Sequence, residues 1–148
     1  MKPLRAAARR RAREAALQML YQWEVGKTSP GDAILSYWQA REDASELDEE
    51  DQAFANALVQ GTTARLERID ALLASRTQNW RVERMAVLDR LVLRLATCEL
   101  LAGETPAKVV INEALELTRT YSGEEAVPFV NGVLDGVRHE LTGDPGAE

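Results

Sequence analysis

The sequence predicts an all-α protein, and three observations carry that reading. Ala, Leu, Arg and Glu dominate a chain whose nine Gly and five Pro leave room for few breaks, and these four are good helix formers. Apolar residues recur at three- and four-residue steps through almost every segment, the period of a helix with one buried face. No stretch alternates apolar and polar residues with the period of two that a half-buried strand needs. The chain has 148 residues, 45% of them hydrophobic, enough for a single domain with a real core. It reads as one domain over 1–148, with a basic arm over 1–8 and a flexible Gly/Pro-rich tail over 142–148.

The elements follow in order. Arg9 to Val25 forms the first helix: Ala12, Ala16, Leu20 and Trp23 recur at helical spacing, Leu17 and Met19 widen the stripe, and Gly26 ends it. Ser29 is placed to cap a short second helix reaching to about Arg41, with Pro30 at its first position and Ile34, Leu35 and Trp38 on its apolar side. The acidic stretch Glu42–Asp51 turns into a third helix. Asp48 is its cap, and Glu49, Glu50 and Asp51 suit the positive end of the macrodipole. Phe54, Leu58, Thr62, Leu66, Ile69 and Leu73 continue the stripe, with a bend or break expected at Gly61-Thr62-Thr63. Ser75–Trp80 is a polar connector.

Val82 to Ala102 is the most apolar segment and should be the central helix, with Gly103 as its C-cap. Lys108 to Tyr121 follows, with Val109, Ile111, Ala114, Leu115 and Thr118 on or near its buried face. Ser122-Gly123 breaks the chain. Glu124 to Leu141 is the last helix, directing Phe129, Val130, Val133, Leu134, Val137 and Leu141 inward, with Pro128 tolerated in its first turn. Trp23, Trp38 and Trp80 read as core or inter-helix packing.

Charge is segregated. Net charge is -6 overall, yet the first thirteen residues hold Lys2, Arg5, Arg9, Arg10, Arg11 and Arg13 and no acid. Residues 14–148 carry the other 12 Lys and Arg against all 24 Asp and Glu, and so sum to -12. A cationic end on an anionic body is the footprint of nucleic-acid contact, although a solvated basic tail would look the same. A transit peptide is a rival reading of an Arg- and Ala-rich start. It is set aside because the basic run merges directly into a core-like helix.

An active site is not legible. The single histidine, His139, has no neighbours of ligand type at metal-binding spacing. Cys98 sits in the central apolar helix, where a thiol is normally core filler, and one cysteine cannot form an internal disulfide. There is no phosphate-binding Gly loop and no nucleophile elbow. Glu113 and Glu116 show ordinary surface spacing. No run approaches the roughly 20 apolar residues of a membrane span. The chain reads as a soluble cytoplasmic binding protein that is not an enzyme and needs no cofactor or metal.

Four motifs narrow the choice. Residues 9–23, RRRAREAALQMLYQW, resemble the opening of the NusB family of bacterial transcription antitermination factors. Leu91-Val92-Leu93-Arg94-Leu95-Ala96 with Glu99-Leu100 is similar to that family's middle signature. Pro106 and Lys108–Ala114 resemble its third, and Phe129–Asp135 its fourth. They occur in the family's order from residue 9 to about 135. The resemblance implies about seven helices in two bundle-like halves. It also implies a protein that binds the boxA segment of single-stranded leader RNA in ribosomal operons, together with the small-subunit ribosomal protein that acts as NusE, within the RNA polymerase antitermination complex. Related helical domains precede the catalytic part of some rRNA cytosine methyltransferases, and some family members are thought to form a homodimer that covers the RNA site. A methyltransferase-related domain and a dimer that does not bind RNA are therefore the alternatives.

The RNA-binding residues implied are Lys2, Arg5, Arg9, Arg10, Arg11 and Arg13, with Arg94 and Lys108 on the RNA-facing side. Guanidinium forks suit phosphates and stack on bases. Arg94 interrupts an apolar helix, so an internal salt bridge with Glu99 or Asp89 is an equal reading. Position 107 is Ala where relatives often carry an aromatic. For the protein partner the resemblance points to Tyr21, Asp89, Glu125 and Phe129, an aromatic anchor among carboxylates facing a basic protein. Core packing is at least as good an account of Phe129. Asn112 and Asn131 read as amides tying helices together, and Gly132 as allowing a close approach.

Overall fold

The structure is a computed structural model. It describes residues 2–41, 47–77 and 85–143, with side chains from residue 5 onward. Seven α-helices and one short 3-10 turn make up the described residues, with no strand. They fall into two compact units, Met1–Ala64 and Arg65–Glu148.

The first unit holds α1 (Lys2–Gly26), α2 (Pro30–Gln39) and α3 (Glu49–Ala64), with α1 against both others. Helix α1 starts at Lys2, seven residues before the expected Arg9, so most of the expected arm is helix. Ala6, Ala7 and Ala8 between arginines have little reason to be anything else. Ala12, Ala15, Ala16, Leu17, Met19 and Leu20 are buried, and their small members let a neighbouring backbone come close. At the other end Gly26 is still helical, and Lys27 takes the left-handed conformation with φ 60°. The glycine thus stands one position before the place where its freedom is needed.

The second helix starts as expected. Asp32 N–H donates to Ser29 Oγ at 3.1 Å, with Pro30 in the first turn. Its buried residue is Ala33, while Leu35, expected on the apolar side, is exposed. Leu35 lies about 200° around the helix from Ala33, which explains the miss. The Trp38 indole N–H donates to Asn56 Oδ1 at 2.8 Å and ties α2 to α3. The start of α3 is also as expected: Asp51 N–H donates to Asp48 Oδ1 at 2.9 Å. The break is not at Gly61-Thr62-Thr63. Thr62 is fully buried, and Thr63 Oγ1 donates to Val59 O at 3.0 Å, so that turn stays helical. The helix ends at Ala64, and Arg65, with φ -108° and ψ 24°, starts the next.

The second unit holds α4 (Leu66–Ser75), α5 (Val87–Ala102), α6 (Ala107–Tyr121), a 3-10 turn (Glu124–Ala126) and α7 (Val127–Thr142). Helix α5 is central: α4, α6 and α7 all contact it, and every residue from Arg90 to Glu99 is buried. Each fully buried leucine there contributes roughly 1.5–3 kcal/mol by transfer from water. Helix α5 begins at Val87 and not at Val82, because Ala86 is extended, with ψ 133°. Trp80 and residues 82–84 lie outside the described residues. Gly103, at φ 71°, closes α5 as expected and donates its N–H to Glu99 O at 3.1 Å.

Expectations about two helix faces and three single residues need correction. On α6 the buried stripe is Val110, Ile111, Ala114, Leu117 and Thr118, and Val109 is exposed. On α7 it is Val127, Val130, Val133, Leu134 and Val137, and Phe129 is 46% exposed. Core packing therefore does not account for Phe129. Asn112 and Asn131 are exposed and make no hydrogen bond among the described residues, so they tie nothing together. Gly132 has nothing within 4 Å of where a Cβ would stand, so no close approach requires it. Gly143, at φ 68°, caps α7. Residues 144–148 of the expected tail lie outside the described residues.

Candidate nucleic-acid interface

The cations of α1 divide by helical position. Arg5, Arg9 and Arg13 are four residues apart and share one stripe, which faces the acidic start of α3. Arg5 Nη2 lies 2.9 Å from Glu50 Oε2. The same oxygen is 3.6 Å from Arg9 Nη2, and Arg9 Nε is 3.7 Å from Asp51 Oδ1. The guanidinium of Arg9 stands over the Phe54 ring at 4.1 Å from its centroid, and that of Arg13 at 5.1 Å. Arg13 is buried. With about 100° between successive residues, Arg10 and Arg11 turn away from this stripe, and both are exposed. The Lys2 side chain lies outside what the structure describes.

The carboxylates here have their own order. The Asp51 N–H holds the Asp48 carboxyl below its usual 3.8. Burial pushes Asp51 above that value, and the neighbouring Asp48 adds to the effect. The sequence reading missed Glu50, Asp51 and Phe54 as partners of the arginines. The available signal was a short run of acids followed by an aromatic, in a chain whose cations are concentrated elsewhere.

In the second unit Arg94 is inside. Its Nε and Nη2 each donate to a different oxygen of Asp70, on α4, at 2.9 Å. Its side chain is 4% exposed and that of Asp70 27%. Asp89, one expected partner for Arg94, instead accepts a hydrogen bond from the Ser122 hydroxyl. Arg13 and Arg94 therefore do not offer their guanidinium groups to a ligand in this structure. Lys108 does offer its ammonium group: it is exposed in the first turn of α6, which contains no acidic residue and has no side-chain cap. An anion there meets both its charge and the positive end of the helix.

The expected protein-partner residues of this unit come together around the α6–α7 connection. Ser122, which holds Asp89, is the C-cap of α6. Gly123 follows with φ 135°, and a Cβ there would meet the Glu125 carboxylate at 2.9 Å. Glu125 and Phe129, four residues apart, are both exposed. Tyr21, in the first unit, is exposed together with Val25 one turn on.

Cys98 is buried in α5. His139 Nε2 lies 3.8 Å from Asp135 Oδ2. No group of three or more His, Cys, Asp or Glu among the described residues is placed to hold a metal ion. No helix among the described residues is long and apolar enough to cross a membrane.

Two small helical bundles, a helix end ringed by arginines and an exposed aromatic flanked by carboxylates define an all-α protein. Residues 10–139 match the NusB family. The chain belongs to that family. It is 47% identical over 135 residues to the transcription antitermination protein NusB of Solibacter usitatus (strain Ellin6076), covering 91% of each chain. It is 44% identical over 139 residues to that of Koribacter versatilis (strain Ellin345), covering 93% of each. Among solved structures it is similar to T. maritima NusB, with 34% identity, a TM-score of 0.78 and coverage of 89% of this chain and 91% of that one. It is also similar to a chain in the crystal structure of antitermination factors NusB and NusE in complex with dsRNA. There the identity is 25%, the TM-score 0.77, and the coverage 95% of this chain and 99% of that one.

Proposed function

We propose that the protein is a cytoplasmic transcription antitermination factor that binds boxA-type single-stranded leader RNA jointly with the small-subunit ribosomal protein acting as NusE. It does so as part of the RNA polymerase antitermination complex. The observation that carries the reading is that α1 runs from Lys2, which sets Arg5, Arg10 and Arg11 on the surface of a helix. Guanidinium groups on a helix meet successive phosphates without first ordering a flexible arm.

Arg9 supports the contact from beneath, and Lys108, in the second unit, is a separate cationic candidate. Arg13 and Arg94 drop out, because their charges are already used inside the fold. Asp89, Glu125 and Phe129, within the second unit, form the surface for the basic ribosomal protein, and Tyr21 is a separate candidate contact in the first. Identity of 44–47% to proteins named as transcription antitermination factors favours this reading over a methyltransferase-related domain.

The test is RNA binding by fluorescence anisotropy, with boxA, scrambled and double-stranded RNA, each with and without the ribosomal protein. The expected result is tighter binding of single-stranded boxA, strengthened by the protein and weakened by salt. Equal affinity for all three RNAs, unmoved by the ribosomal protein, overturns the reading. Sedimentation with and without RNA shows whether a homodimer dissolves on binding.

A further inference from the structure

The proposed RNA contact is already occupied by one of the protein's own carboxylates. A single oxygen of Glu50 serves Arg5 at 2.9 Å and Arg9 at 3.6 Å. A phosphate oxygen bridging two guanidinium groups would stand in the same place. We propose that Glu50 is a built-in competitor for the RNA backbone, setting a threshold that an isolated anion does not cross and a run of phosphates does. The inference rests on the RNA-binding reading and adds a regulatory residue to it.

The geometry makes release cheap and local. The side chains of Arg5 and Glu50 are both 62% exposed, so water and ligand reach the pair, and exposed pairs are weak. Arg9 is held independently, 22% exposed, against Asp51 and over the face of Phe54. When Glu50 turns away, Arg9 keeps its position and Arg5 is freed. No backbone need move. A lone phosphate gains little by replacing one carboxylate with another anion. A strand that also reaches exposed Arg11 gains a contact that Glu50 cannot match. The competing carboxylate stays nearby and repels the backbone, which disfavours weakly held, non-specific RNA.

The effect has a signature in salt dependence. Binding affinity falls with salt according to the positive charge the protein brings to the strand, with a slope of about 0.7 per phosphate neutralised on single strands. Glu50 cancels part of that charge. Glu49, in the same first turn, is also exposed and makes no ion pair among the described residues, so it controls for net charge alone.

The experiment measures binding of a short fluorescent oligo(U) by the wild type, Glu50→Gln and Glu49→Gln across a salt series, with folding checked by circular dichroism melting. Glu50→Gln is expected to bind about three-fold tighter at low salt, with a slope steeper by up to about 0.7. Glu49→Gln should change both by clearly less. Unchanged or weaker binding by Glu50→Gln overturns the inference, because the carboxylate then orients the arginines and does not compete. An equal gain in Glu49→Gln also overturns it, as does failure of all three proteins to bind. The functional reading fails separately, when oligo(U) is bound but boxA RNA and the ribosomal protein bring no preference.

Discussion

Removing the carboxylate of Asp70 should destabilise the second unit more than removing the arginine it holds. Arg94 lies within the buried run of α5 with its side chain 4% exposed, and two parallel bonds of 2.9 Å join it to Asp70. Asp70→Asn keeps the shape, takes away the negative charge and leaves a cation in a poorly solvated place. Breaking a buried pair from one side costs about 3–5 kcal/mol. Asp70 is 27% exposed, so water partly replaces it and the expected loss falls to about 2–3 kcal/mol.

Arg94→Leu removes the buried charge itself and leaves Asp70 able to hydrate, at a cost of about 1 kcal/mol. The double variant should then resemble Arg94→Leu alone, giving a coupling energy of about 2–3 kcal/mol, the whole Asp70→Asn loss. Urea titrations followed by far-UV circular dichroism measure all four proteins. An Asp70→Asn loss below about 0.5 kcal/mol, the size of an ordinary surface change, would refute the assignment of Arg94 to the interior. If Arg94→Leu folds, its affinity for RNA should match the wild type, since its guanidinium is not on the surface.

Other expected outcomes follow from single residues. Arg11→Ala should lower the salt slope of RNA binding by about 0.7 without lowering the melting temperature, as read from anisotropy and thermal melts. Lys27→Gly should raise stability by about 0.5 kcal/mol. The left-handed φ of 60° costs an L-residue about 1–2 kcal/mol, against the larger unfolded freedom of glycine. Gly132→Ala should add about 0.5–1 kcal/mol of helix propensity in open space, and a loss in the melt would show an undetected neighbour.

The capping carboxylates of α3 make stability depend on pH. The Asp48 pKa is lowered in the folded protein by the Asp51 N–H, so the cap's charge contribution is complete above the usual carboxylate range and is lost as pH falls through the folded value. Asp51, raised by burial, binds its proton more readily when folded and offsets part of that loss. Asp48→Asn still caps but does not titrate. The melting-temperature advantage of the wild type over it should be widest near neutrality and close below about pH 4. A gap that stays constant into acid contradicts the mechanism.

The helices were legible in the sequence wherever a local chemical reason placed their ends. Ser29, Asp48 and Gly103 act through atoms within a few residues, and each does what its residue type suggests. The starts of α1 and α5 were not legible, since nothing polar marks them. Alanines and arginines continue α1 back to Lys2, and α5 starts after an extended Ala86 that no propensity singles out. Faces were misjudged by a single step. Leu35, Val109 and Phe129 are apolar and near a buried stripe, and only the neighbouring helix decides which side of it they take. For Phe129 that step turns a core residue into a surface one, which is what the partner reading requires.

The cationic site shows the limit of charge counting more sharply. Six positive residues in thirteen say that this end can hold an anion, but not how many of those charges are still on offer. Arg13 lies buried beside Phe54, Arg9 is wedged against Asp51 and the same ring, and Arg5 is shared with Glu50. These are long-range contacts, separated by some forty residues of sequence, and no local period reports them. The effective charge offered to RNA is accordingly smaller than the composition suggests, and its strength depends on a carboxylate outside the basic segment. A protein built this way can keep α1 folded and well packed before RNA arrives, because its own acids offset the repulsion among its arginines. If the competition proposed for Glu50 holds, the same contacts lower affinity for unselected RNA, and tight binding is left to a ligand that displaces Glu50 from Arg5 and also reaches Arg11.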